Sequence, residues 1–115
     1  MLSEGLNRVR DLVNADITHA QAGTDNTLPS ENDTGLYDEV TSSLTTTTNS
    51  VSSNPATINV EHIITSAAAV GETLKEWELR LNSNAESFNR TVTAGFTKTS
   101  TQETTRNVTI EITQE

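Results

Sequence analysis

The chain has 115 residues, no cysteine, and 16 acidic against 7 basic side chains, a formal net charge of −9. That length is one domain, the missing cysteine excludes disulfides and thiolate metal centres, and the charge repels nucleic acid and anionic membranes. Leu, Ile, Val and Phe make up only about 22% of the residues, close to the roughly 20% at which highly charged chains become disordered, so the core is thin: either the fold borrows burial from copies of itself or it is marginal.

Leu2, Leu6, Val9 and Val13 recur at helical spacing with Leu12 beside them, while Glu4, Asn7, Arg8, Arg10 and Asp11 take the other face. This predicts an amphipathic helix over residues 3–14, with Ser3 placed to cap it and Glu4 placed to pair with Arg8. A helix this short is not stable alone, so the stripe must dock on its own sheet or on a neighbouring subunit. We therefore divide the chain into residues 1–15, a helix and docking element, and residues 16–115, a β domain.

Residues 16–22 alternate weakly as a first strand. Residues 22–40 then gather Gly, Pro, Asn, Asp and Ser into one long connection shaped by its own side chains. Leu36, Tyr37 and Val40 close it as a helical turn or the entry to a strand. From 41 to 53 the chain is almost entirely Thr and Ser, with only Leu44 and Val51 apolar. β-branched Thr favours extended backbone, so the tract reads as an edge strand or hairpin, with Leu44 a candidate for an interface.

After Pro55, Ile58, Val60, His62 and Ile64 alternate with Thr57, Asn59, Glu61 and Ile63 as the longest expected strand. Residues 73–81 follow, with Trp77, Leu79 and Leu81 on one side and Glu76, Glu78 and Arg80 on the other, which is expected to be solvated or to face a subunit. Phe88, Val92, Ala94 and Phe96 mark a further strand beyond a turn at 82–85, and Val108, Ile110 and Ile112 give the last its core face. The expected core is thus Ile58, Val60, Trp77, Leu79, Leu81, Phe96, Val108, Ile110 and Ile112. The fold class is mainly β, a small antiparallel β-sandwich or jelly-roll-like module with one N-terminal amphipathic helix.

Many acids with only two lysines, Lys75 and Lys98, suit a salty environment, where a screening length of about 3 Å at 1 M removes self-repulsion. No segment approaches the roughly 20 apolar residues of a membrane span, and residues 1–6 lack a basic stretch leading into an apolar run. A soluble chain without an export signal is expected, and no membrane insertion.

Chemistry is weakly represented. His19 and His62 are the only imidazoles, and no Gly-x-Ser-x-Gly surrounds a serine. Glu76 and Glu78 could be offered as paired hydrolytic carboxylates, but their alternation with Trp77 and Leu79 favours a structural face. Asp25, Glu31 and Asp33 offer hard oxygen ligands, as a structural Ca²⁺ or Mg²⁺ ion would need, yet their spacing is not that of an EF-hand and the same residues shape turns. No organic cofactor is expected, no enzyme, and no metal site beyond those three weak candidates. Asn32, Asn89 and Asn107 begin Asn-x-Thr sequons, a frequent chance occurrence in so Asn- and Thr-rich a chain.

Two segments together resemble a known family. Gly23-Thr24-Asp25-Asn26-Thr27-Leu28-Pro29, followed by Asp33-Thr34-Gly35-Leu36 and by Asp38-Glu39-Val40, is similar to the Gly-Thr-Gly-Thr-Thr-Ala-Pro-like turn, Gly-Asp-Thr-x-Leu and acidic-Val phrase of small structural proteins of tailed phages and haloarchaeal tailed viruses. Leu74-Lys75-Glu76-Trp77-Glu78-Leu79, Phe88-Asn89-Arg90, Phe96-Thr97-Lys98 and Val108-Thr109-Ile110-Glu111-Ile112 resemble the C-terminal half of the same proteins. The chain departs from the pattern in having Trp77-Glu78-Leu79 where Gly-Leu-Phe is usual, and in lacking a Gly-rich turn before Arg90.

The resemblance implies a non-enzymatic virion component, made in the host cytoplasm and assembled as a symmetric oligomer in a tail, baseplate or fibre base. Its partners would be copies of itself, other virion proteins and the host cell surface, and its interface residues Leu2, Leu6, Val9, Val13 and Leu44. A capsid turret or decoration protein, or a module binding host-surface glycans, are the alternatives.

Overall fold

A computed structural model describes residues 2–113. Helix α1 (Ser3–Asp16) runs directly into β1 (Ile17–Gly23), and after the long connection a 3-10 turn (Thr41–Ser43) leads to β2 (Thr45–Thr46) and β3 (Thr48–Ser52). There follow β4 (Thr57–Ile64), β5 (Thr73–Leu81), β6 (Glu86–Thr97) and β7 (Thr104–Glu111). The seven strands form two antiparallel sheets, ordered β2-β1-β5-β6 and β3-β4-β7, in a sandwich-like arrangement. The mainly β class and the single N-terminal helix are as expected.

The core lies between the sheets in two clusters. Ile17, Ala20 and Leu79 of the first sheet meet Ile58 and Val60 of the second, with Val13, Leu81, Val108 and Ile110 packed at the margin. Toward the connection, Ala22, Leu74 and Trp77 meet Ile64 and Ala69, with Val40 alongside. Small residues at 20 and 22 let β1 pass close beneath β4, which keeps a thin core dense.

Several expectations change. Ile112 is half-buried and Phe96 is 38% exposed, stacked on Trp77 with ring centroids 6.2 Å apart, so both are at the core's margin. The longest strand is β6, with 12 residues against the 8 of β4, because its bulged pairing with β5 continues past Glu76 to Thr97. Leu2 stands at the N-cap of α1 with no side-chain cap, and Glu4 and Arg8 are not among the ion pairs of the described residues.

The Thr/Ser tract supplies both edges of one side of the sandwich. β2 borders the first sheet, and after Thr47 the chain crosses to β3, which borders the second. Helix α1 lies along β3: Arg10 Nη1 donates to Ser52 O (2.9 Å) and Ser53 Oγ (3.0 Å), and Asn49 Nδ2 donates to Asn14 O and Ile17 O. A helix laid on an edge strand covers backbone groups that would otherwise recruit another chain. The turn joining β5 to β6 needs no glycine, because Asn82, Ser83 and Asn84 all take positive φ (53°, 54° and 74°); asparagine tolerates that region better than most residues.

Candidate functional site

The polar face of β5 is the centre of the molecule's charge chemistry, and it is not solvated. Glu76 and Glu78 are 0% and 1% exposed, contrary to the expectation from alternation. The covering layer is the connection, residues 24–38, whose ends are tied by Thr24 N to Asp38 O (2.9 Å) and Val40 N to Ala22 O (2.9 Å). A compact loop with joined ends needs internal partners for its backbone, and Glu76 provides them.

The Glu76 carboxylate accepts four hydrogen bonds. Tyr37 N (2.9 Å) and Arg90 Nε (2.8 Å) donate to Oε1, and Asp38 N (2.8 Å) and Asp25 N (3.2 Å) donate to Oε2. Arg90, on β6, reaches on to Thr27 O (2.7 Å) and to the carboxylates of Asp25 (3.4 Å) and Asp33 (3.5 Å). The Tyr37 ring lies 4.1 Å from the guanidinium carbon, and Tyr37 Oη donates to Asp33 Oδ1 (2.5 Å).

Each charge is set by these neighbours. The Tyr37 hydroxyl, the Ser30 amide and Arg90 hold the Asp33 carboxyl below its ordinary value of 3.8, and Asp33 in turn pushes Tyr37 up. Hydrogen bonds from Thr27 lower Asp25. Burial alone would lower the Arg90 guanidinium, but the bond and charge of Glu76 outweigh it and raise it.

Gly23 makes the approach feasible: a Cβ there would overlap the Glu76 carboxylate and the Asp38 carbonyl. Beside this latch, Arg80 Nη1 (2.9 Å) and Ser87 Oγ (2.8 Å) donate to the two oxygens of Glu78.

This arrangement holds a loop. Both glutamates are buried and every carboxylate oxygen already has a donor, so neither presents a basic oxygen to a substrate. Of the three candidate metal ligands, Asp25 and Asp33 turn onto Arg90, and Glu31 is exposed in a turn. Among the described residues no three His, Cys, Asp or Glu side chains converge as a metal group. The cavity between Pro29, Asp33, Phe88 and Arg90 holds about 170 Å³, below the roughly 300 Å³ at which small-molecule sites begin. His19 Nδ1 lies by Thr18 Oγ1, and His62 is buried with Nε2 donating to Ser43 O (2.9 Å).

The candidate interface residues divide. Val13 packs on the core and Leu6 is half-buried beside Asn54, Pro55 and Ala56, whereas Leu2 (79% exposed), Val9 (38%) and Leu12 (60%) face outward. The apolar residues form one stripe that is only partly covered: the helix docks by its Leu6 and Val13 margin together with the buried Arg10, and the margin bearing Leu2, Val9 and Leu12 is left open. Leu44 is half-buried at the end of the 3-10 turn.

Sequence reasoning missed Arg90 and the burial of Lys98, whose Nζ donates to Ser66 O and Thr99 O. A usable signal existed for Arg90: two glutamates on the strand bearing the only Trp require cations nearby, and few basic residues are available. No family model matches the chain, and neither a curated protein nor a solved structure matches it.

Proposed function

We propose that this protein is a non-enzymatic assembly module that self-associates through the outer face of α1. The observation that carries this reading is the uncovered margin of the helix's apolar stripe. Leu2 and Val9 are seven residues apart and Leu12 follows three on, the seam spacing by which helices pack on one another. Exposed apolar side chains clustered on an acidic, apolar-poor chain are best accounted for by burial in an oligomer.

The resemblance of residues 23–40 and of the C-terminal half to tailed-virus structural proteins supports a specific setting: a virion component in a tail, baseplate or fibre base. Rigidity serves such a role, and the buried latch under the connection supplies it.

The test is the mass of the particle. Native mass spectrometry or light scattering at molar salt is expected to show a discrete oligomer, and Leu12→Glu is expected to reduce it to monomer while leaving the far-ultraviolet circular dichroism unchanged. A wild-type chain that is monomeric at every concentration up to the millimolar range would overturn the reading.

A further inference from the structure

One side of the sandwich is closed by the β2 to β3 crossing, with α1 lying along β3. The other is not. There the first sheet ends at β6 and the second at β7, each with no neighbouring strand on its outer side. Between these two edges opens a slot of about 400 Å³, with Trp77, Thr93 and Phe96 on one wall and Thr104, Arg106 and Asn107 on the other.

Arg106 faces into it. The residue lies on the same strand face as Val108 and Ile110, which pack on the core, and its guanidinium carbon lies 5.5 Å from the centroid of the Trp77 ring. No carboxylate of the described residues pairs with it, and its guanidinium donates to no described side chain or carbonyl. Burial lowers its pKa without a compensating partner. The slot thus holds one cation, no acid, an aromatic floor and two unpaired strand edges.

We propose that this slot binds an extended, carboxylate-bearing segment of a different polypeptide, which pairs as a strand with β6 or β7 and sets one acidic side chain on Arg106. Charge complementarity selects the acid, since a guanidinium pairs with a carboxylate through two parallel hydrogen bonds. Strand addition to a free edge supplies affinity, and the slot takes alternate side chains. The volume accommodates the acid together with one or two flanking apolar side chains.

A second copy of this chain fits less well. In a two-fold antiparallel pairing of β7 with itself, residues opposite each other must lie on the same face, so Arg106 would meet an even-numbered residue. Thr104, Val108 and Ile110 are the others in β7, none of them acidic. The acids on the two free edges are Glu86 at the start of β6 and Glu111 at the end of β7.

The inference is independent of the helix face, because it involves other residues and its readout needs no oligomer. Trp77 is the only tryptophan, so its emission and indole N–H resonance report on the slot directly. The probes are acetyl-Val-Thr-Glu-Thr-Val amide, which sets Val, Glu and Val on one face, and the same peptide with Gln in place of Glu.

The Glu peptide is expected to shift both signals saturably, and the Gln peptide to bind at least tenfold more weakly. Arg106→Gln is expected to abolish that difference and Arg106→Lys to retain part of it, each variant being checked for an unchanged urea midpoint. Equal binding of the two peptides would overturn the proposal. So would a response to glucuronate with none to either peptide, or a change in oligomer mass on Arg106→Gln, which would seat a second copy in the slot.

Discussion

Glu76 has four donors in a site with no access to water, and its partner Arg90 is almost as deeply buried. Removing one member of such a pair leaves a buried charge uncompensated, at a cost of about 3–5 kcal/mol. Glu76→Gln keeps the shape and loses the charge, so it is expected to lower the unfolding free energy by about 3 kcal/mol in urea titration. A loss below about 1 kcal/mol would mean that the latch is not a stabilising unit.

His62 gives a second residue-scale expectation. Burial between the sheets lowers its pKa below the ordinary 6.5, the bond to Ser43 O opposes this, and the nearby Arg106 charge adds to the lowering. The unfolded chain takes up a proton near pH 6.5 while the folded chain does not. The contribution is therefore complete above pH 6.5 and is lost as pH falls below it toward the folded value, at no more than about 1.4 kcal/mol per pH unit. Urea midpoints measured between pH 7.5 and 5.5 should fall for the wild type and stay flatter for His62→Gln.

At the scale of elements, the connection is ordered by partners distant in sequence. The amides of Asp25, Tyr37 and Asp38 all donate to one side chain on β5. Hydrogen exchange should find the Tyr37 and Asp38 amides protected, although both residues are exposed on the surface. Arg90→Met should speed their exchange by at least tenfold while amides of β4, in the other sheet, keep theirs. Equal acceleration in both places would show that the connection and the sandwich unfold together.

Helix α1 belongs to the same scale. Its sequence carries more apolar positions than one docking face can bury, and the structure divides them between the sheets and the outside.

For the whole molecule, charge is the governing property. The net charge is −9, and four of the seven cations are already committed, Arg10, Arg80 and Arg90 to ion pairs and the buried Lys98 to backbone carbonyls. The surface is thus more one-sided than the sequence count suggests, and self-repulsion opposes the compact state. Raising potassium chloride from 0.1 to 2 M is expected to raise the midpoint of thermal unfolding by several degrees, most of it below 1 M, where screening changes most. A midpoint that does not move would remove the argument for a salt-adapted chain.

The strands, the helix and the mainly β class could be read from the sequence because they depend on local periodicity. Val60 and Ile64 stand two strand turns apart and point the same way in any antiparallel sheet. The core positions Ile58, Val60, Trp77 and Leu79 follow from the same rule. Alternation also separated Glu76 and Glu78 from Trp77 correctly, but it could not say what lies over the second face. That depends on three backbone amides some forty to fifty residues earlier in the chain and on one arginine across a hairpin, and no period links them. The helix stripe and the open slot at Arg106 have the same origin: sequence determines which side chains are apolar or charged, and only tertiary packing decides which of them remain uncovered.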